Sequence, residues 1–413
     1  MTKSKEDPND YILQRLSDVP TVDYTREQNS AAWKNLLSAQ EYIERERCLG
    51  LSKIASSDVN RLAVFGLKSK DKPDTIVGSL ELLIREAWYF HKKSDGSVTK
   101  KNVLSGCVGG VYTYPEYRGK GLATIMVDKL FELAKGSEYL GPDGFMFLYS
   151  EVGEFYTRNG FKSFAVPLLN FPLKPSNTAY ENSANVSLIK YHEFDSLFEQ
   201  YNRHFEKEMI AKVEADGVDR ISVDPTSQYI DWFHLRVKFF STKLFGHSDV
   251  HIDPRTDTYE EIVDKVSTIE PIYFGIQITC PTTNALKGFI VWQYEYGYDH
   301  ENNVFQNYAT VIKIFVNTPH FNQEETQLAL IAAMKKYLEA KHELPQMSNF
   351  HKIVIWETEI TEGVIASLKT KYGGVDGLEN GSRSAIQCID EDQDQRLKDG
   401  RILWENNNKL PWF

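Results

Sequence analysis

The segment 111–123, which reads VYTYPEYRGKGLA, joins the end of a strand to the start of an amphipathic helix through a short basic loop. Gly119 and Gly121 let the backbone approach a ligand without a Cβ in the way. The first N–H groups of a helix have no partner within the helix, and the helix dipole favours an anion at that end. Arg118 and Lys120 add positive charge. The segment therefore predicts a pyrophosphate site, with a plain surface turn as the alternative.

The segments on either side of this loop predict strands and a helix. Residues 103–113 are apolar and β-branched, which predicts a buried strand. Apolar side chains recur at helical spacing from Leu122 to Lys135, and Gly136 follows as a stop signal. Residues 144–150 predict a second short strand. The loop thus lies between a strand and a helix, the position in which such loops bind phosphate groups.

Two motifs resemble those of the Gcn5-related N-acetyltransferase (GNAT) superfamily. Arg118, Gly121 and Ala123 occupy the positions of its acyl-CoA signature, Arg/Gln-x-x-Gly-x-Gly/Ala. Tyr156 precedes the Gly-Phe pair at 160–161, as in the second motif. The resemblance implies an α/β (α+β) fold with a mixed, mostly antiparallel sheet flanked by helices, and acetyl-CoA as co-substrate with no metal. The coenzyme A site implied by the resemblance consists of Val111, Tyr112, Thr113, Arg118, Gly119, Lys120, Gly121, Leu122, Ala123 and Asn159.

Acetyl transfer to an amine needs a base and an acid. A lysine-like amine has a pKa near 10.4, so exposing its lone pair at pH 7 costs about 4–5 kcal/mol, and a base must take the proton. By resemblance, Tyr156 would protonate the departing thiolate; the alternative is an aromatic side chain packed under the sheet. A backbone N–H at 111–113 would polarise the carbonyl where this strand separates from its neighbour.

The identity of the base stays open. The strand at 103–113 carries no acid, but the strand predicted at 75–90 offers Glu81 and Glu86. Their positions differ by an odd number, so a regular strand turns only one of them toward the substrate. Glu81 is our candidate. The alternatives are a proton path through water and an ordinary structural role for each glutamate.

Composition narrows the class of protein. The chain has 413 residues, which predicts roughly two or three domains. Its net charge of −11 argues against a nucleic-acid surface. No apolar run suits a membrane span or a signal peptide. The four cysteines are widely separated, which fits a reducing compartment. We therefore expect a cytoplasmic enzyme with no membrane or nucleic-acid partner; its oligomeric state stays unknown.

The second half of the chain repeats the plan of the first. Residues 310–319 predict a strand that ends at a proline, and a helix at about 323–341 follows. In place of the basic loop, residues 322–325 read NQEE, and two acids would repel coenzyme A. We expect a tandem chain with one cofactor site. The expected parts are a catalytic GNAT domain at 1–170, a linker at 171–185, a degenerate GNAT-like unit at 186–395 and a docked tail at 396–413.

A narrower resemblance covers nearly the whole chain. The run LYSEVG at 148–153, the length, and the ending at 404–413 resemble the fungal lysine N6-acetyltransferases of lysine catabolism. This implies transfer of an acetyl group from acetyl-CoA to the ε-amine of free L-lysine by direct attack in a ternary complex. Tyr149 is a departure, because an Asn often stands there in the wider superfamily. By the same resemblance, the carboxylate of Phe413 is a second candidate base, with a structural plug as the alternative.

Some assignments keep alternatives at this stage. Arg85 is a candidate for binding the substrate α-carboxylate, or else an ordinary surface arginine. His247 and His251 have a spacing that could hold a metal on a helix, but Gly246 and Pro254 disfavour a helix there, so we expect no metal. The alternatives for function are acetylation of another small amine, a polyamine or a protein, and a non-catalytic acetyl-CoA-binding role.

Overall fold

The computed structural model describes residues 6–58, 61–181, 184–226, 228–246, 250–299, 301–318 and 320–412. The strands are β1 (Tyr11–Leu16), β2 (Leu62–Ser69), β3 (Lys72–Lys92), β4 (Val98–Thr113), β5 (Phe145–Ser150), β6 (Lys162–Phe164), β7 (Leu168–Pro172), β8 (Val186–Lys190), β9 (Asp219–Val223), β10 (Tyr273–Thr279), β11 (Leu286–Glu295), β12 (Tyr298–Asp299), β13 (Val304–Phe305), β14 (Asn307–Val316), β15 (Phe350–Trp356), β16 (Val375–Leu378), β17 (Arg383–Cys388) and β18 (Ile402–Trp404).

Helices lie between these strands and cover the sheets. Within the described ranges, none is both long and apolar enough to cross a membrane. The helices are α1 (Val19–Trp33), α2 (Ala39–Gly50), α3 (Lys53–Ser56), α4 (Leu122–Ala134), α5 (Asp195–Asp216), α6 (Gln228–Leu244), α7 (Tyr259–Ser267), α8 (Gln323–Ala340), α9 (Glu362–Tyr372) and α10 (Glu391–Lys398).

The first sheet has the strand order β1-β2-β3-β4-β5-β17-β6. β1 to β4 are antiparallel neighbours, whereas β4 and β5 run parallel and are joined through α4. The stripe of Leu122, Met126 and Leu130 on α4 is buried in a cluster with Leu80 and Leu82 of β3. Burying such side chains contributes about 1.5–3 kcal/mol each, so this packing holds the start of α4 at the end of β4.

The second sheet repeats the arrangement, in the order β16-β7-β15-β14-β11-β10-β8. β10, β11 and β14 are antiparallel, and β14 and β15 are parallel and joined through α8. Both sheets are therefore mixed and mostly antiparallel, with helices against them. This confirms the predicted fold class and the predicted repetition of the plan.

The two sheets exchange strands, so the domain boundaries predicted along the sequence do not separate the sheets. β7 lies at the end of the expected first domain but pairs with β15 and β16 of the second sheet. β17 comes from near the end of the chain and inserts between β5 and β6 of the first sheet. β9, also from the second half, pairs with β3. The expected linker at 171–185 accordingly begins inside a strand. Each exchange supplies hydrogen-bond partners to a sheet edge that would otherwise be open.

Most predicted elements in the first half lie close to their expected positions. The strand predicted at 75–90 lies within the longer β3, and the helix predicted from Leu122 matches α4. α1 begins at Val19, where Asp18 caps it by accepting from the Thr21 N–H. β9, β17, β18 and α7 were not predicted. The acidic residues at 390–394 open α10, with Asp390 as its cap.

Candidate active site

The loop between β4 and α4 has the backbone conformation that its glycines permit. Gly119 and Gly121 have φ angles of +80° and +84°, a region that disfavours residues with a Cβ. Gly121 is the N-cap of α4, and as a glycine it has no side chain that could accept a hydrogen bond from the first N–H groups of that helix. The predicted anion-binding end of α4 is thus uncapped by the protein itself, which suits a phosphate group.

The two basic side chains of the loop already have contacts. The Nε of Arg118 donates to the Thr113 carbonyl at 3.0 Å, and the guanidinium lies 5.0 Å from the centre of the Tyr112 ring. Lys120 forms an ion pair with Glu6 at 2.9 Å. Arg118 thus shapes the loop from within, while Lys120 shares its charge with a neighbouring acid. Both side chains keep solvent exposure, so they can still face an anion.

The gap predicted beside the end of β4 is present. The last parallel pair between β4 and β5 is Val108 with Leu148, and β4 then continues to Thr113 beside β3 alone. A bulge interrupts the β3–β4 register at Gly110, whose φ is +58°. The backbone at 109–111 consequently lines a cavity rather than a neighbouring strand.

Some residues of the expected coenzyme A site use their side chains elsewhere. Leu122 is buried in the core, so only its backbone is available to a ligand. The Asn159 amide donates to the Thr124 carbonyl at 3.0 Å and to Asp128 at 2.7 Å. Asn159 therefore ties its 3₁₀ turn to α4 instead of presenting its amide group to solvent. Ala123 lies in the first turn of α4 and is partly buried against the same core cluster.

A cavity of about 570 Å³ lies between the two halves of the molecule. Its walls come from α1, α2, β3, β4 and β5 of the first unit, from α6 and the end of β11 of the second, and from the tail. This volume is typical of small-molecule sites, which often lie between domains. Its ionisable side chains carry both signs of charge; they include Arg45, Glu46, Glu81, Glu151, Tyr156, Arg236, Glu295 and Lys409.

Glu81 lies on the cavity wall, buried at 7% exposure. Burial raises the pKa of Glu81 to about 7; Arg26, at 3.8 Å, opposes this rise and Glu46 adds to it. Glu86 points the other way, is exposed, and pairs with Arg61 at 2.7 Å. Of the two glutamates, Glu81 thus lies on the cavity wall and Glu86 on the exposed face of β3, and the role of Glu81 as the base stays a prediction.

Tyr156 lies on the same cavity, in the 3₁₀ turn Phe155–Asn159. Its ring packs edge-on against Phe155 and Phe161, with centroids 5.1 and 6.5 Å away. Burial raises the pKa of Tyr156 to about 12, with the charge of Glu151 adding to the rise. The phenol is thus protonated at neutral pH and can donate a proton. Tyr156 therefore packs against other aromatic rings and also lines the cavity.

Arg85 is not part of the cavity wall. It is 1% exposed, its Nη1 donates to the Pro411 carbonyl at 2.5 Å, and its Nη2 to the Trp412 carbonyl at 3.4 Å. Its guanidinium also lies 4.4 Å from the centre of the Tyr229 ring. The expectation that Arg85 binds the substrate carboxylate is corrected here, because backbone carbonyls of the tail occupy that guanidinium. Both Glu81 and Arg85 belong to β3, but Glu81 lines the cavity whereas Arg85 contacts the tail.

The tail packs against the body of the molecule. Asn408, Lys409 and Leu410 are buried, and the Tyr149 hydroxyl donates to the Asn408 carbonyl at 2.9 Å. This contact gives Tyr149, the departure from the superfamily pattern, a place in holding the tail. Trp412 lines the cavity. Phe413, the second candidate base, lies outside the described residues.

Several charged cavity residues were missed by sequence reasoning. Arg45 donates to Glu46 from two nitrogens, at 2.8 and 2.5 Å. Arg236 lies on α6 between Trp232 and Phe240, which also line the cavity. That spacing of four residues was a signal that one face of α6 combines aromatic rings with a cation. No local pattern indicates Glu295 and Lys409, which distant segments bring to the site.

The second unit has the corresponding gap, and a cavity of about 500 Å³ lies there, lined in part by polar side chains of the unit itself. β14 and β15 separate after the pair Thr310 and Val354. Beyond that point Glu359, buried there, accepts from the Ile314 N–H at 3.0 Å and from Lys313 at 3.2 Å. At the start of α8, Asn322 accepts from the Glu325 N–H at 2.9 Å. The backbone groups that remain available in the first unit therefore have internal partners in the second.

The comparison with known families agrees with this architecture. Residues 170–413 match the family described as the LYC1 GNAT-like C-terminal domain. Residues 30–161 match the acetyltransferase (GNAT) family. This chain belongs to the LYC1-like GNAT family. As a GNAT protein it is an acyltransferase of the N-acetyltransferase class, for which acetyl-CoA is the family co-substrate. Within the described ranges, no cluster of three His, Cys, Asp or Glu side chains could hold a metal ion, and His247 lies outside those ranges.

Individual relatives of this GNAT chain are distant. An uncharacterized protein of Saccharomyces cerevisiae is 24% identical over 449 residues, covering 100% of both chains. The structure of a probable N-acyltransferase from Enterococcus faecalis matches with a TM-score of 0.47 and 9% identity, over 92% of this chain and 72% of that one. A GCN5-related N-acetyltransferase from Anabaena variabilis matches with a TM-score of 0.46 and 11% identity, over 92% and 73%.

Proposed function

We propose that this protein transfers the acetyl group of acetyl-CoA to the ε-amine of free L-lysine, giving N6-acetyl-lysine, in the cytoplasm. The observation that carries the proposal is the cavity between the two units. Glu81 and Tyr156 lie on its wall together with side chains of both charges. Free lysine has two cationic groups and one anionic group, and such a ligand needs both signs of charge around it.

The family chemistry assigns a role to Glu81. As a carboxylate it takes the proton that converts the ε-ammonium into a nucleophilic amine. A base works best when its pKa is near the working pH, and burial raises the pKa of Glu81 to about 7. The amine nitrogen then forms the amide bond to the acetyl carbon while the carbon–sulfur bond breaks.

Tyr156 serves the leaving group. Its phenol gives its proton to the departing sulfur, and the proton that nitrogen loses on amide formation restores the phenol. The backbone beside the bulge at Gly110 lies where it can polarise the thioester carbonyl by donating N–H groups. The uncapped start of α4 suits the pyrophosphate. Direct attack in a ternary complex needs no covalent enzyme intermediate.

The size of the site favours a small acceptor over a protein. Trp412 of the docked tail and Trp232 of α6 line the cavity together with residues of β4. A peptide segment needs an open groove for its backbone, whereas a free amino acid fits a cavity of about 570 Å³. The second unit thus supplies walls for the acceptor in place of a second coenzyme A site.

The test is release of free thiol from acetyl-CoA with one acceptor at a time. We expect turnover with L-lysine at a higher kcat/KM than with spermidine or with a lysine-containing peptide. A preference for spermidine or the peptide would contradict the lysine assignment and retain the acetyltransferase. Binding of acetyl-CoA with no turnover of any amine would leave only the non-catalytic alternative.

A further inference from the structure

Arg236 is a half-buried cavity cation with no ion pair among the described residues. Its Nε is buried without a hydrogen bond, and the charges of Glu46 and Glu295 act on its guanidinium without forming an ion pair with it. The other cavity cations differ. Arg45 is held by Glu46, and Lys409 lies 3.2 Å from the centre of the Trp412 ring. A partly buried guanidinium without a hydrogen-bonded counter-ion is costly, and such groups normally have one.

The surroundings of Arg236 orient it toward the cavity. Trp232 and Phe240 lie one turn before and after it on α6, and all three line the cavity. Glu46, an acid of the first unit whose charge acts on Arg236, is already engaged by Arg45 through two nitrogens. The guanidinium fork of Arg236 is consequently available to a ligand. A fork of this shape matches a carboxylate, which it can bind through two parallel hydrogen bonds.

We infer that Arg236 binds the carboxylate of the amine substrate, so that the second unit supplies the subsite for the amino-acid end. This rests on the proposed function. Glu295, at the end of β11, lines the same cavity and accepts a hydrogen bond from the Gln293 amide. A carboxylate has further lone pairs, which are available to the α-ammonium. The ε-amine then extends across the cavity to Glu81 and Tyr156 on the first unit. The ligand class is an α-amino acid with a side-chain amine, in preference to a diamine.

The arrangement gives the degenerate unit a substrate-selecting role. Arg236 and Glu295 both come from the second half of the chain, whereas Glu81 and Tyr156 come from the first. A diamine lacks the carboxylate and leaves Arg236 unpaired, and leaving a buried charge unpaired is penalised in binding. A lysine within a peptide lacks the free carboxylate as well. Selection between these amines therefore depends on Arg236.

The test compares Arg236→Met with wild type on L-lysine and on cadaverine, which has the same amine chain without the carboxylate. We expect the KM for L-lysine to rise about 100-fold, with kcat changed little and the KM for cadaverine unchanged or lower. Arg236→Lys keeps a cation but loses the fork, and should recover part of the affinity for L-lysine. Arg203→Met, an exposed arginine on α5, is the matched control and should change neither KM.

Further measurements distinguish a failure of the inference on Arg236 from a failure of the proposed function. Because Arg236→Met removes a partly buried charge whose Nε has no hydrogen-bond partner, its ligand-free melting temperature should equal or exceed that of wild type. Equal effects on L-lysine and cadaverine, or none on either, would overturn the inference and leave the proposed function standing. If wild type turned over neither amine, the proposed function would fail. Calorimetric titration with L-lysine would then decide on Arg236, since equal affinities of wild type and Arg236→Met would refute its role.

Discussion

Glu81 has the altered titration of a catalytic base because a strand delivers it to a buried wall. Desolvation is the main cause of the raised pKa, and the nearby Glu46 disfavours a second negative charge. Arg26 prevents a larger rise. A group poised near neutrality can accept a proton from an ammonium and release it to water afterwards.

The pH profile tests this residue. The kcat/KM of wild type should rise with pH through about 7, because Glu81 must be ionised to accept a proton. Glu81→Gln should lower kcat roughly 10²–10³-fold and abolish that limb. Glu86→Gln, on the exposed face of the same strand, is the control and should keep the wild-type profile. Retention of the limb in Glu81→Gln would assign the base to another group.

The same residue links stability to pH. The folded-state pKa of Glu81, about 7, lies above its ordinary value of 4.5, so the folded protein keeps this proton up to a higher pH than the unfolded chain does. Stability therefore falls as pH rises from about 4.5 to about 7. Glu81→Gln escapes this loss. Its melting temperature relative to wild type should be higher at pH 8 than at pH 5, and a constant difference would show that Glu81 titrates normally.

The proposed role of Tyr156 in proton transfer can be tested separately from cofactor binding. Tyr156→Phe keeps the ring that packs against Phe155 and Phe161 but loses the proton. We expect kcat to fall about 10²-fold, with the KM for acetyl-CoA changed less than twofold. Stopped-flow measurement of thiol release would detect the loss. An equal rise in KM for acetyl-CoA would mean that the hydroxyl positions the cofactor.

At this scale the sequence indicated Glu81 well and Arg85 poorly. Side chains alternate between the two faces of a strand, and this alternation can be read from the local sequence. It places Glu81 and Glu86 on opposite faces, so only one of them can be buried. Arg85 lies on the same face as Glu81. Its partners could not be inferred, because the tail carbonyls that it binds lie more than 300 residues away along the chain.

At the scale of elements, the two units differ at a helix start. α4 begins at a glycine with no side-chain cap, whereas α8 is capped by Asn322 and opens with two acids. The same helix position therefore attracts an anion in one unit and repels it in the other. The local sequence was sufficient to predict this contrast, because capping residues act within one turn.

Gly121 provides the corresponding prediction. Gly121→Ala forces a Cβ into a φ of +84°, which costs about 1–2 kcal/mol. The loop should relax and raise the KM for acetyl-CoA about 10-fold. Gly96→Ala at the β3–β4 hairpin is a matched control, because its φ is +88° and its Cβ would likewise meet no atom within 4 Å. Gly96→Ala should lose similar stability and bind acetyl-CoA normally, as isothermal titration can measure.

The whole molecule depends on pairings that no local pattern predicts. β17 joins the first sheet and β7 joins the second, so neither expected domain contains all of its own sheet. Hydrophobic periodicity identified most strands but carries no information about which edge a strand will meet. The fold class could be predicted from the sequence, and the exchange between the two units could not.

Arg85 anchors the tail, which forms part of the cavity wall. Arg85→Met should leave the carbonyls of Pro411 and Trp412 without donors, which costs about 1–3 kcal/mol. The tail wall of the cavity should loosen, which raises the KM for the amine more than that for acetyl-CoA. Arg61→Met, which removes an exposed pair with Glu86, serves as control. Unchanged thermal stability in Arg85→Met would contradict the anchoring role.

The most direct test of the account is the product formed from L-lysine labelled with ¹⁵N at the ε-position only. Wild-type enzyme, acetyl-CoA and this substrate would be incubated, and the product would be fragmented in a mass spectrometer. We predict one acetyl group, attached to the labelled nitrogen, with one free thiol released per product. An acetyl group on the unlabelled α-nitrogen, or no acetyl-lysine while acetyl-CoA still binds, would contradict the proposed geometry of the cavity.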